Sequence, residues 1–350
     1  MPVDVKFHLP FSAPKPDRAA WERASARGVQ WACEQGLIAR SAKAVTYFMA
    51  MRLADVAAGF CPQAVGEDLD VITDVITWTA VCDDYFDGPV GDDPEAAGSA
   101  VIALSGITLA DSVPPDGDSA LGVATADLWA RMKAPMSDRW RVRAGRNWRR
   151  FLRSFLAEAE ARREGVVPGY AQYLALRRET MAMYLYLDAA ERANRYEVPE
   201  RVLASPPIRR LAQLEIDIIA HCNDVHSIEH EEARGDTHNL VLVLEKEGNH
   251  GRAEVISEIQ RRVRALSEEF LRIATRVPDL CAELNCTEAE RSIAERHVST
   301  MARQIRVTHD WSVRTRRYVQ SATEAAPNSP GAQGQRPQYL VPAREQPRAV

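Results

Sequence analysis

The chain has 350 residues, 46% apolar and 27% charged, with 44 basic against 49 acidic side chains and a net charge of −5. That balance excludes a polyanion binder held by bulk charge, nucleic acid included, and the apolar fraction excludes global disorder. No stretch of about 18 uncharged apolar residues occurs, so no membrane-spanning helix is expected. Met1–Lys6 lacks the apolar core of a signal peptide, and the six cysteines show no CxxC spacing. A reduced, cytoplasmic protein is the expectation.

Residues 1–20 hold four prolines in an unpatterned segment that reads as an extended arm. Helical periodicity then runs from residue 21 to about 320 with no linker or repeat, which predicts one all-α domain. Leu69, Ile72, Ile76, Thr79 and Ala80 form a three-four apolar stripe over residues 67–86. That stripe leads into Cys82-Asp83-Asp84-Tyr85-Phe86-Asp87, and Gly88-Pro89 closes the helix. Asp83 and Asp87, four apart, share the core-directed face. At a helix C-terminus the dipole already disfavours carboxylates, so the cluster calls for a counter-charge. A hard divalent cation such as Mg²⁺ supplies one, although acids at a solvated helix end would look the same in isolation. Asp92-Asp93, after Gly91 and without an apolar stripe, reads as a solvated turn. The seven arginines between Arg139 and Arg153 read as a solvated amphipathic face.

Pro168-Gly169 opens a helical run predicted to extend from Tyr170 to Arg192. On it Arg177 shares a face with Met181 and Tyr184 and points inward, while Arg178 turns away. A guanidinium directed inward suits an anion, phosphate oxygens above all. Residues 207–233 form another helix, stopped at Gly235, with Ile208, Ala212, Ile216 and Ile219 on its inner face. The same face continues into Asn223, Ser227 and Glu231, a hard-cation donor set of low charge. Thr287 and Glu290 make a capping box for a last helix running toward Tyr318, with Trp311, Arg317 and Tyr318 near its end. Residues 321–350 contain five prolines and few aliphatics, and read as a disordered tail.

Together these elements resemble the bacterial class I terpene cyclases. Asp83, Asp84 and Asp87 match the family's DDxx(D/E) motif, and Asn223, Asp224, Ser227 and Glu231 match its NDxxSxxxE motif. Arg177 stands at the position of the diphosphate-sensing arginine, and Arg317-Tyr318 with Trp311 matches the C-terminal pair and its tryptophan. Phe7-His8-Leu9-Pro10-Phe11 loosely matches the N-terminal arm. The resemblance implies a single-domain helical bundle around a central apolar cavity. It also implies three Mg²⁺ ions and a linear isoprenyl diphosphate, farnesyl diphosphate first, ionised and cyclised with release of diphosphate. Tyr184, Trp311, Phe86 and Trp78 are the aromatic candidates for facing the cation, and Met181 lies where the family uses a backbone carbonyl. His230 replaces a common basic residue beside Glu231, and would contact diphosphate as a cation only when protonated. Thr79 and Ala80 are small, which leaves room for geranylgeranyl diphosphate as the alternative substrate. A chain-elongating prenyltransferase and a non-catalytic helical binding protein are the further alternatives, and a homodimer is compatible with each.

Overall fold

A computed structural model describes residues 5–109, 119–165, 167–236, 238–248 and 250–318. Among them there are sixteen helices and no strand element. The predicted tail, 321–350, lies outside the described residues, as do residues 1–4 of the arm.

After an extended stretch, α1 (Arg18–Glu34) starts on Asp17, whose carboxylate accepts from the Ala20 amide. Then come α2 (Ala42–Ala50), α3 (Leu53–Phe60), α4 (Gly66–Phe86), α5 (Pro89–Asp92) and α6 (Pro94–Ile107). Asp92 ends the short α5 and Asp93 caps α6 by accepting from the Glu95 amide, so the expected plain turn is two helix ends. Next are α7 (Ala120–Lys133), α8 (Asp138–Glu164), α9 (Tyr170–Thr180), α10 (Met183–Ala193) and α11 (Glu200–Leu203). The chain closes with α12 (Pro206–Arg234), α13 (Leu240–Gly248), α14 (Arg252–Ala274), α15 (Val277–Glu283) and α16 (Glu288–Arg314). Gly235, at φ +75°, ends α12, and the Thr287–Glu290 capping box starts α16. Residues 315–318 are not helical, so Arg317 and Tyr318 sit on a turn rather than on the last helix.

α4 packs against α1, α3, α7 and α10, while α12 packs against α14 and α16. A core of stacked aromatics joins α4 to α8. Trp78 stacks on Trp148 at 4.7 Å and donates its indole N–H to Thr125 Oγ1 at 2.9 Å. Phe86 stacks on Phe155 at 4.4 Å and is fully buried. The arm is docked: Leu9 and Phe11 are buried, Phe11 against Phe270 at 5.4 Å. Two expectations need correction. The 170–192 run is broken, because Met181 caps α9 and Ala182 adopts a left-handed φ of +57° before α10 begins. The arginine stretch is not wholly solvated either: Arg143 is inside, paired with Asp188 at 2.9 Å and Glu191 at 2.8 Å.

Candidate active site

The C-terminal end of α4, the α9–α10 break, the C-terminal half of α12 and the segment after α16 converge on one cavity of about 180 Å³. Its walls are apolar below, with Leu53, Val56, Phe60, Ile76, Ala80 and Phe151, and charged at the rim. A larger depression of about 850 Å³ lies at the opposite end of α4, around Glu67, Asp68, Arg192 and Arg195. Its charges are matched to one another, Arg192 to Asp68 at 2.6 Å and Arg195 to Asp68 at 2.7 Å. Its acids, Glu67, Asp68 and Glu197, are not drawn together into a metal-type cluster as Asp83, Asp84 and Asp87 are.

At the α4 rim, ligand oxygens of Asp83, Asp84 and Asp87 all lie within 4.8 Å of one another. Asp83 and Asp87 line the cavity, while Asp84 is buried behind them. Three carboxylates so close repel, and Arg317 answers them. Its Nη2 donates to Asp83 Oδ2 at 2.6 Å and to Asp84 Oδ1 at 2.8 Å. Burial alone would lower the Arg317 pKa, but Asp84 and Asp83 hold it well above the ordinary value. Arg162 lies 3.7 Å from Asp87.

Across the cavity, Asn223 and Glu231 line the wall, and Ser227 is buried between them with its hydroxyl unpaired. Arg177 faces this wall from α9. Its Nη2 donates to Asn223 Oδ1 and to Asp224 Oδ1, each at 2.8 Å, and its Nε also donates to Asp224. Arg178 turns outward and pairs with Asp217 through both Nε and Nη2. Tyr318 OH accepts from Asn223 Nδ2 at 2.7 Å, so it touches the opposite wall to the one Arg317 grips. Burial pushes the Tyr318 phenol up to about 12, which keeps it a donor across the working range. His230 lines the rim with its ring 6.4 Å from that of Tyr318. Burial first, then Asp224, raises Glu231 to about 8, against the opposing pull of Arg177.

Met181 and Trp311 line the cavity as expected. Tyr184 and Phe86 do not. The α9–α10 break resets the helical phase, so Tyr184 faces outward under the Arg150 guanidinium, 5.1 Å away, and Tyr186 takes the wall. Phe86 points from α4 toward α8, away from Asp83, and Trp78 does likewise. The sequence reading missed Phe60 and Phe151, which look like ordinary core residues, and two further acids at the rim. Glu158 lines the mouth, raised to about 8 by burial and by Asp83 and Asp87 despite Arg162. Burial pushes Asp236 up, but hydrogen bonds from His238 outweigh it and hold this carboxylate below its usual range.

Residues 74–269 match terpene synthase family 2, C-terminal metal binding. The chain is 36% identical over 341 residues to pentalenene synthase from Streptomyces exfoliatus, covering 95% of this chain and 97% of that protein. It is 35% identical over 330 residues to the (−)-beta-caryophyllene synthase ((2E,6E)-farnesyl diphosphate cyclizing) of Saccharothrix espanaensis, covering 94% and 92%. The solved structure of a-eudesmol synthase superposes with a TM-score of 0.80 at 29% identity, over 89% of this chain and 99% of that one.

Proposed function

Since the chain belongs to the bacterial class I terpene synthases, lyases that release diphosphate, we propose that it is a Mg²⁺-dependent sesquiterpene cyclase acting on farnesyl diphosphate. The observation that carries this reading is the pairing of two oxygen-rich clusters, each gripped by one arginine, across the rim of one apolar cavity. The residues fit a hard cation. Three carboxylates crowd a helix C-terminus, and across from them the buried Ser227 hydroxyl is unpaired between Asn223 and Glu231. Asp83, Asp84 and Asp87 would hold Mg²⁺ on one wall and Asn223, Ser227 and Glu231 on the other, three ions in all. Bound there, Mg²⁺ stabilises negative charge on the departing diphosphate.

The chain's own groups account for the rest. The Arg177 and Arg317 forks offer several N–H donors each to diphosphate oxygens, and Tyr318 OH adds another. His230, beside Tyr318, extends that donor set. The α9–α10 break presents Met181 and Ala182 backbone at the cavity wall, where it orients the allylic end of the chain. Below the rim the apolar wall keeps out bulk water, and the π faces of Trp311, Tyr186, Phe60 and Phe151 stabilise the migrating cation. The similar (−)-beta-caryophyllene synthase is named for cyclizing (2E,6E)-farnesyl diphosphate, which favours fifteen carbons over twenty. The six free cysteines suit a reducing cytoplasm. The test is incubation with ten-, fifteen- and twenty-carbon isoprenyl diphosphates and Mg²⁺, with diphosphate release and gas chromatography as readouts. Farnesyl diphosphate should turn over fastest to cyclic hydrocarbons or alcohols, and chelation should abolish release. Absence of release from farnesyl diphosphate would refute the reading.

A further inference from the structure

Polar groups on the cavity wall are of two kinds. On one side Thr79 Oγ1 bonds the Ile76 carbonyl at 2.9 Å and Tyr186 OH at 2.5 Å, so both hydroxyls are satisfied. On the other side, α16 presents Thr308, whose Oγ1 is buried and has no hydrogen-bond partner. Helical threonines ordinarily donate to the carbonyl four residues back, as Thr73, Thr125 and Thr300 do here. Gln304 stands four residues before Thr308 and seven before Trp311, on the same face of α16 and one turn farther from the rim. It is fully buried, and neither its amide oxygen nor its amide nitrogen has a partner. Helical side chains lean toward the N-terminus, so the Thr308 hydroxyl is tilted toward the level of Gln304.

A buried hydroxyl and a buried amide left dry would each forfeit their hydration without return. Buried polar groups of this kind are normally satisfied, and a water with two or more polar partners is the small molecule that fits. Building on the sesquiterpene reading above, we propose that Thr308 and Gln304 hold one water at the cavity floor, and that this water captures the final carbocation to give a terpene alcohol. A lone pair of the water oxygen forms the C–O bond to the cationic carbon. The resulting oxonium then passes its extra proton to the diphosphate that left in the first step. The net change is isoprenyl diphosphate plus water giving terpene alcohol plus hydrogen diphosphate, with nothing oxidised or reduced. Gln304 and Thr308 act as water-positioning residues: their hydrogen bonds occupy part of the water's valence and leave a lone pair directed at the cavity.

The experiment uses the full chain with farnesyl diphosphate and Mg²⁺ in H₂¹⁸O, with products read by mass spectrometry and diphosphate release measured in parallel. Wild type should yield an alcohol carrying ¹⁸O. Thr308→Val and Gln304→Leu should each cut the alcohol share by roughly fivefold or more in favour of hydrocarbons, the scale of one lost hydrogen bond. Diphosphate release should persist in both, and Thr308→Ser should retain the alcohol. Hydrocarbons alone from wild type, or an alcohol share unmoved in both variants, would overturn the proposal. Absence of diphosphate release would instead strike the substrate reading. The water site is then decided by a high-resolution crystal structure of the full chain: density bridging Thr308 Oγ1 and the Gln304 amide supports it, and a dry gap refutes it.

Discussion

Asp83 and Asp92 are acids nine positions apart, and their surroundings assign them different work. Asp83 faces the cavity and bonds Arg317, whereas Asp92 is exposed at the end of α5. Asp83→Asn should therefore lower kcat/KM by about 100-fold or more, the scale of losing one charge-stabilising group at a reacting centre. Asp92→Asn should stay within about twofold, as exposed substitutions usually do. Equal losses in two folded variants would remove Asp83 from the metal set. Arg177 and Arg178 give a second contrast. Arg177→Lys replaces a fork that spans Asn223 and Asp224 with a single ammonium, and turnover should drop by about 100-fold. Arg178→Lys keeps a cation beside the buried Asp217 and touches no group of the cavity, so activity should hold. The inward and outward directions of these arginines follow from spacing alone, because neighbours on a helix differ by about 100°. Spacing could not say that Asn223, Asp224 and Tyr318 would meet around Arg177, since that needs three distant segments brought together.

Helices with a continuous stripe or a capping box, such as α4, α12 and the start of α16, were legible in the sequence because their signals are local. The α9–α10 break was not. Neither glycine nor proline stands between Thr180 and Met183, and Ala182 takes a left-handed conformation that ordinarily costs an L-residue about 1–2 kcal/mol. Local propensity argues for a continuous helix there, and packing overrides it. The shift places Tyr186, not Tyr184, in the cavity. The same limit applies to α8, where one of seven arginines goes inside and composition does not reveal which. Arg143 ties α8 to α10 through Asp188 and Glu191, and Asn147 adds a bond to Asp188 at 2.7 Å. Arg143→Ala would leave two buried carboxylates without their cation, so unfolding free energy should drop by about 3 kcal/mol or more. Arg146→Ala, three residues on and exposed, should change it by less than about 0.5 kcal/mol. Chemical denaturation of both variants checks the contrast, and similar midpoints would show that the pair contributes nothing net.

For the molecule as a whole, the rim concentrates acid that Arg177, Arg317 and Arg162 only partly balance. Glu231 and Glu158 face the same cavity, and both are raised to about 8, chiefly by burial. Their folded-state values lie above the unfolded value of about 4.5, so the neutral carboxyls favour the folded state. That contribution is fully present below about pH 4.5 and is lost as pH rises through about 8. Metal-free protein should therefore lose thermal stability across this window. A divalent cation prefers ionised carboxylates, so the rise in Tm on adding Mg²⁺ should grow over the same range. Glu191, raised to about 8, and Asp74, raised to about 7, also steepen the metal-free slope through burial. Their partners are Arg143, and Arg27 with Arg131, and none of these lines the cavity, so they leave the Mg²⁺ increment unchanged. Scanning calorimetry with and without Mg²⁺ at about pH 6 and about pH 9 separates the two effects. The increment should be larger at the higher pH by about 3 °C, the shift expected for roughly 1 kcal/mol in a large domain. Glu231→Gln removes an ionisable ligand, and should flatten the growth of that increment while leaving the Glu191 and Asp74 slope in place. An increment independent of pH in wild type would mean that the rim carboxylates do not take up the cation.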